Sequence, residues 1–310
     1  MSVRPQKLVI YHKNCDDGFG ACYAAWRALG DAAEYVAMDY KDPVDKLDVL
    51  GRDVYIVDFS FAPEVMSGPV LSKAAHITLL DHHLSAMDVW RGHLGAAAGD
   101  TLRHKTEHLD LFFDNGKSGA YLAWEFFHKG KDVPLFIRHI SDGDLWRFAL
   151  PGTQAFTAYL RAFPRDIPVW DGIFREMETQ EGARKIIATG ADINRFYEAQ
   201  VQSIFDLGRE VEIEMTGIAD GKPVTARGLC VNASKIFCSE LGHLLANKSG
   251  SFGIVWDTDG ETAFCSMRSN KPFDCIPFAT AKGGGGHAQA CGFNVPLEKM
   301  IAAVFGGKTL

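Results

Sequence analysis

The sequence predicts an N-terminal α/β domain built on a parallel sheet, followed by a smaller α+β domain. Three observations lead there. Short apolar runs alternate with helical segments through the first half, the pattern of strands buried on both faces of a parallel sheet. Those runs end in Asp and His residues. After a long helical stretch, the remaining chain reads as strands interrupted by one helix.

In order, Leu8–Tyr11 reads as a strand and Gly18–Leu29 as a helix rich in Ala and aromatics. Glu34–Met38 and Val54–Val57 are further strands, and Pro63 opens a helix over Glu64–Lys73, since proline suits a first turn. Ile77–Leu80 and Leu109–Phe113 are the next strands. Leu84 to His108 is Gly-, Ala- and His-rich and is expected to be a loop or lid whose His93, His104 and His108 are solvated. Ser118 is expected to cap a helix running to Phe127, in preference to contacting a phosphate.

From Phe174 to Glu210 the pattern is helical, with Ile193, Phe196, Tyr197, Val201, Ile204 and Phe205 at helical spacing. Val211–Met215, Val224–Val231, Gly253–Trp256, Ala263–Met267 and Ala290–Val295 read as strands. Helices are expected over Ile236–Ala246 and Leu297–Phe305. The expected domains are 1–185 and 211–310, joined by a helical connector over 186–210.

The 310 residues, 47% hydrophobic and 23% charged, suit a globular protein with substantial cores. A net charge of −7 argues against sequence-independent binding of long duplex nucleic acid, which relies on basic surface. It does not oppose a small anionic substrate held by local cations. The seven cysteines form no C-x-x-C pair and are expected to be reduced and mostly buried. The polar Met1 to Lys7 segment leads into too few apolar residues for a signal-peptide core, which needs roughly 7–15. No run approaches the ~20 apolar residues of a membrane span. A cytoplasmic protein without membrane partners is expected.

His12 and Cys15-Asp16-Asp17-Gly18 follow the first strand, Asp58 the third, and Asp81-His82-His83 the fourth. Ligands of open α/β sheets bind outside the carboxyl ends of the strands, so these segments should converge. Oxygen and imidazole donors gathered this way suit divalent metals such as Mn²⁺. Far downstream, Gly283, Gly284, Gly285 and Gly286 stand between Lys282 and His287. Consecutive glycines let the backbone turn its N–H groups onto an anion, with Lys282, His287 and Arg268 adding donors. The plainer reading is a flexible turn before a strand. Trp146, Phe148, Phe163 and Phe273 could stack on bases or belong to the core.

In this order, His12-Lys-Asn-Cys-Asp-Asp-Gly18, Asp58, Asp81-His82-His83 and Gly283–His287 resemble the DHH/DHHA1 phosphoesterase superfamily. The opening motif and Ser141-Asp142-Gly143-Asp144-Leu145-Trp146 are similar to its oligoribonuclease and cyclic-nucleotide phosphodiesterase subgroup. The resemblance implies a DHH domain, a DHHA1 domain and an active site in the cleft between them. It implies two Mn²⁺ ions, with Mg²⁺ or another divalent ion as alternatives. His12, Asp17, Asp58 and His82 map to metal ligands, with Asp58 as the bridge, and the fourth motif's carboxylate maps to Asp142 before Asp144. Asp81 maps to the supporting neighbour of His82, and His83 to a group beside the leaving oxygen. The glycine segment, Arg268 and Lys282 map to substrate binding.

Where most members read D-x-D-G, Cys15 replaces the first Asp. Asp16 could shift to bind, Cys15 could bind as thiolate, or one metal site could be weakened; the reading leans to the last while keeping two metals. The resulting expectation is Mn²⁺-dependent hydrolysis of phosphodiester bonds in short oligonucleotides or small linear or cyclic nucleotides, by a monomer or a homodimer. The alternatives are a pyrophosphatase- or exopolyphosphatase-type phosphoanhydride hydrolase and a nucleotide-binding module without turnover.

Overall fold

The computed structural model describes residues 5–39, 42–216 and 223–310, so the start of the Met1 to Lys7 segment lies outside them. Contacts divide the chain into Met1–Arg195 and Phe196–Leu310.

The first unit contains β1 (Lys7–His12), α1 (Asp16–Leu29), β2 (Ala33–Met38), β3 (Asp53–Val57), α2 (Pro63–Met66), β4 (His76–Asp81) and α3 (Leu84–Leu94). It continues with β5 (Thr101–Lys105), β6 (Leu109–Asp114), α4 (Gly119–Phe127), α5 (Leu135–Asp144), α6 (Thr153–Arg161) and α7 (Ile167–Met177). Helix α8 (Gln180–Phe205) runs on into the second unit.

The six strands lie in the order β2-β1-β3-β4-β6-β5, all parallel except β5, which runs antiparallel to β6. Successive side chains alternate between the faces. Leu8, Ile10, Val54, Ile56, Ile77 and Leu79 pack with Met87 and Trp90. Val9, Val57 and Leu80 pack on the other side with Phe19, Ala120, Phe136 and Trp170. Both faces are covered, which explains why these strands are apolar without interruption. Each fully buried aliphatic side chain contributes about 1.5–3 kcal/mol.

The second unit contains β7 (Arg209–Thr216), β8 (Pro223–Asn232), α9 (Cys238–Ser249), β9 (Phe252–Thr258) and β10 (Thr262–Ser269). It ends with α10 (Ile276–Ala281), β11 (Gly285–His287), β12 (Ala290–Pro296) and α11 (Leu297–Gly306). Its six-stranded sheet has the order β11-β12-β10-β9-β8-β7, antiparallel except between β8 and β9. Ile254, Trp256, Cys265, Met267, Phe278, Phe293 and Met300 form its core. The α/β plus α+β fold class expected from the sequence is therefore the one observed. All seven cysteines are unbonded, five of them buried. No described helix is long and apolar enough to cross a membrane.

Two local expectations are corrected. Leu84 to His108 is not an irregular lid, because it holds α3 and β5. In α3, Met87 and Trp90 face the core and Gly95 closes the helix at φ 64. Strand β5 buries only Leu102, so as a polar edge it shows no alternation to read. The helix expected over Glu64–Lys73 stops at Met66 and resumes as a 3₁₀ turn over Leu71–Lys73. Pro69 lies between them and cannot supply the N–H a continuous helix needs. Of the expected helical connector over 186–210, residues 186–205 lie in α8 and 209–210 open β7.

Candidate metal centre

Strand β1 pairs with β2 on one side and β3 on the other, so the winding of the sheet reverses between β1 and β3. Such a switch point is where open α/β sheets bind ligands. His12 is the last residue of β1, Asp58 follows β3, Asp81 closes β4, and His82 and His83 follow it. Two glycines let the chain close around these residues. A Cβ on Gly18 would collide with the carbonyl oxygen of His12, and one on Gly119 with the side chain of Asp58. Among the described residues, the non-glycine positions with positive φ are Asn14, Asp58, Trp146 and Phe148. Each lies on a segment that carries a residue of the centre, where strained backbone concentrates when a site must be held in place.

His82 is the hub. Its Nε2 lies 3.1 Å from Asp58 Oδ1, 3.6 Å from Asp17 Oδ2 and 3.7 Å from Asp144 Oδ2. The second oxygen of Asp58 faces His12 Nδ1 at 3.4 Å. The donor groups that could hold a metal include Asp17, His82 and Asp144 on one side and His12, Cys15 and Asp58 on the other, with Asp58, Asp81, His82 and His83 also clustered. Asp17 is further held by the start of α4, with Gly119 N–H donating to Oδ2 at 2.5 Å and Ala120 N–H to Oδ1 at 3.0 Å. Ser118 caps that helix as expected, accepting from Tyr121 N–H at 3.4 Å. Asp81 Oδ1 accepts from the backbone N–H of His82 at 2.7 Å and from His83 Nδ1 at 2.7 Å. Asp81 therefore orients the His83 ring and holds the backbone at His82, while its buried Oδ2 has no hydrogen-bond partner among the described residues.

The electrostatics are those of a crowded acidic cluster. Burial, then Asp58 and Asp144, hold the Asp17 carboxyl well above the usual range. Burial also pushes Asp58 up, but hydrogen bonds from His12 and His82 outweigh it and hold Asp58 well below that range. Asp144 is raised by burial, with His82 opposing and Asp58 reinforcing. Burial and the neighbouring carboxylates Asp58, Asp144 and Asp17 push the Cys15 thiol well above its ordinary value. His83 resists burial because Asp81 lies against it, and it rises to about 9.

The residues fit divalent cations. Desolvation, reinforced by neighbouring carboxylates, disfavours the ionised forms of Asp17 and Asp144, and a bound cation offsets both effects. The Asp17, His82 and Asp144 group is the oxygen-rich one, while Cys15 makes the other softer.

Two expected ligands lie elsewhere. Asp142 Oδ1 accepts from Ala149 N–H at 3.0 Å, and its Oδ2 accepts from Leu150 N–H at 3.0 Å and Thr153 Oγ1 at 2.6 Å. It closes the loop between α5 and α6, and Asp144, its second choice from the sequence, stands in the cluster. The two residues differ by about 200° around a helix, so only one can face His82. Asp16 turns away to Arg165 Nε at 2.9 Å and Arg161 Nε at 3.2 Å. Cys15, its neighbour, takes the place beside His12 and Asp58.

In the second unit, Arg268 lies on β10 and donates to Ser239 Oγ at 3.0 Å. Lys282 stands over the Phe278 ring at 4.8 Å. The N–H groups of Lys282, Gly283 and Gly284 donate to Ala279 and Thr280 carbonyls, closing α10 instead of forming an open nest. Gly284 is required by the close approach of Gly292, whereas nothing lies within 4 Å of a Cβ built on Gly285. Gly285–His287 pairs with β12 as strand β11.

Sequence reasoning missed the anchoring of Asp17 by α4 and the two arginines on Asp16. The Ser118-Gly119-Ala120 helix start was a legible signal for the first. Nothing in the spacing of residues 16, 161 and 165 signalled the second.

No family model matches the chain. An uncharacterized protein of Acanthamoeba polyphaga mimivirus is 25% identical over 319 residues, spanning 94% of this chain and 70% of that protein. Among solved structures, the chain is similar to RecJ from Thermus thermophilus in complex with Mn²⁺, at 12% identity and a TM-score of 0.46. That match covers 93% of this chain and 49% of RecJ, so the chain spans about half of that protein. The pGpG-specific phosphodiesterase PggH from Vibrio cholerae matches at 11% identity over 96% of this chain and 95% of that one, with a TM-score of 0.42. An exopolyphosphatase-related protein from Bacteroides fragilis matches at 13% identity over 93% and 86%, with a TM-score of 0.41.

Proposed function

We propose that the chain is a divalent-metal-dependent phosphoesterase that hydrolyses phosphodiester bonds in short oligonucleotides or small linear or cyclic nucleotides, in the cytoplasm. The observation that carries this reading is the placement of Asp58, whose Oδ1 faces His82 at 3.1 Å and whose Oδ2 faces His12 at 3.4 Å. One carboxylate is thereby shared between two donor groups. Asp17, His82 and Asp144 would hold one ion, His12 and Cys15 the other, with Asp58 common to both. Mn²⁺ suits the oxygen-rich group, and a second divalent ion suits the softer one. A pair of such ions supplies positive charge to the phosphoryl oxygens and a water acidic enough to attack near neutral pH.

The remaining steps belong to side chains. Asp81 holds His83 by Nδ1, which fixes the ring and keeps it protonated. His83 would then neutralise the leaving oxygen and return a proton to it. Asp81 acts through His83 and is a positioning residue. Arg268, Lys282 and Gly283–His287 of the second unit are proposed as further substrate contacts. They supply cationic groups and a backbone that side chains do not block at Gly285.

The test is to assay the purified chain with Mn²⁺ against a dinucleotide, a 3′,5′-cyclic mononucleotide, a longer RNA and pyrophosphate. Hydrolysis of the dinucleotide or cyclic nucleotide, lost in Asp58→Ala without loss of fold, is expected. Turnover of pyrophosphate alone would replace this reading with phosphoanhydride hydrolysis. Metal binding without turnover of any of them would leave a nucleotide-binding module.

A further inference from the structure

Helix α6 ends at Arg161, and a short turn through Phe163, Pro164 and Arg165 leads to Asp166, which caps α7. Both arginines reach one carboxylate. Arg161 donates from Nε to Asp16 Oδ2 at 3.2 Å, and Arg165 donates to Oδ1 from Nε at 2.9 Å and lies 2.8 Å away through Nη2. Asp16 opens α1 between Cys15 and Asp17, both of which stand in the metal centre. The turn is therefore tied to the rim of that centre.

A tether alone does not account for this arrangement. Exposed ion pairs contribute only about 0–1 kcal/mol, and one arginine would satisfy Asp16. Two guanidinium groups converge on one carboxylate beside an acidic cluster, in a chain of net charge −7. Both remain accessible, at 41% and 37% of their side-chain surface. Between them, Phe163 leaves 39% of its surface exposed and touches Tyr159 with ring centroids 4.9 Å apart. A planar fork of donors suits phosphate oxygens, and an exposed ring in the same turn suits a stacked base of any sequence.

We propose that Arg161, Phe163 and Arg165 form a nucleotide subsite on the first unit, with the guanidinium groups taking a second phosphate of the substrate and Phe163 a base. The inference rests on the phosphodiesterase reading and narrows it to substrates carrying a phosphate in addition to the scissile one. Asp16 is then the group that holds both arginines ready, in place of the metal-ligand role expected for it.

The experiment compares kcat/KM of the Mn²⁺-loaded full chain for three substrates: a 5′-phosphorylated dinucleotide, the same dinucleotide without that phosphate, and bis-p-nitrophenyl phosphate. The variants are Arg161→Ala/Arg165→Ala, Phe163→Ala and, as a control for charge, the exposed Arg138→Ala. The double variant is expected to lose at least tenfold more on the phosphorylated dinucleotide than on the unphosphorylated one. Phe163→Ala is expected to penalise both dinucleotides by at least fivefold relative to bis-p-nitrophenyl phosphate, and Arg138→Ala none of them. Equal losses of the double variant on the two dinucleotides, or no loss, overturn the subsite while wild-type diesterase activity keeps the broader reading. A wild type inactive on all three diesters overturns both. Phe163→Ala leaves the Arg161–Asp16–Arg165 contacts in place, so it reports on the subsite even where the double variant does not fold.

Discussion

Gly119 has no room for a Cβ because Asp58 stands against it: the added atom would lie 2.5 Å from Asp58 Oδ1 and 2.8 Å from Asp58 Cα. The same residue donates its N–H to Asp17. One glycine thus sets the spacing between two carboxylates of the centre. Gly119→Ala is expected to cost about 1–3 kcal/mol as overpacking and to lower Mn²⁺-dependent turnover at least tenfold. Ser118→Ala, which removes the cap and a side-chain hydrogen bond to Asp17, should cost about 1 kcal/mol and lower turnover less than Gly119→Ala. Thermal unfolding and turnover measured on both variants check the contrast.

Asp142 and Asp144 should separate cleanly. Asp142→Asn weakens charged hydrogen bonds that close a loop, a change of about 1.5–3 kcal/mol, and should leave metal stoichiometry unchanged. Asp144→Asn removes a carboxylate whose ionised form desolvation and Asp58 disfavour. It should lower metal affinity at least tenfold without destabilising the metal-free protein. Metal titration by calorimetry, paired with denaturant unfolding, distinguishes the two.

Cys15 stands beside His12 and Asp58, where a thiolate needs a cation to form. Cys15→Asp is expected to strengthen Mn²⁺ at that position, and Cys15→Ser to weaken zinc there more than Mn²⁺. Metal content by mass spectrometry after loading each protein with both ions reads this directly. Equal zinc uptake by wild type and Cys15→Ser would remove the thiol from the ligand set.

The glycines of the second unit should divide by cause. Gly284→Ala collides with the Gly292 carbonyl and should destabilise the fold, whereas Gly285→Ala meets nothing within 4 Å. Gly285→Ala should keep the wild-type melting temperature. If this segment contacts substrate, its kcat/KM should fall more on a dinucleotide than on bis-p-nitrophenyl phosphate.

Asp171 supplies a pH dependence remote from the centre. Burial raises its carboxyl, but hydrogen bonds from Tyr23 and Arg27 and the charge of Arg175 outweigh this and hold it below 3.8. A depressed carboxyl contributes stability above its unfolded value and loses it as pH falls through the folded value. Asp171→Asn should therefore destabilise the protein at pH 7, by a margin that shrinks as pH falls below the usual carboxylate range. Denaturant midpoints across that range check it; a difference that persists unchanged at pH 2 would assign the effect to packing.

The sequence by itself determined the parallel sheet, because strands covered on both faces must be continuously apolar, as Leu8–Ile10 and Val54–Val57 are. It also determined which strand ends carry His12, Asp58 and His82, since a residue just past a strand has little freedom in where it lies. Helix faces were decided otherwise. Asp142 and Asp144 both fit the motif, and only the packing of α5 turns Asp144 toward His82 and Asp142 toward Thr153. The polar edge strand β5 was hidden because a strand that buries one side chain has no alternation to show. The pairing of Asp16 with Arg161 and Arg165 joins residues some 145 positions apart. Charged groups on an exposed surface carry no periodic signature, so only the tertiary structure could bring those three together.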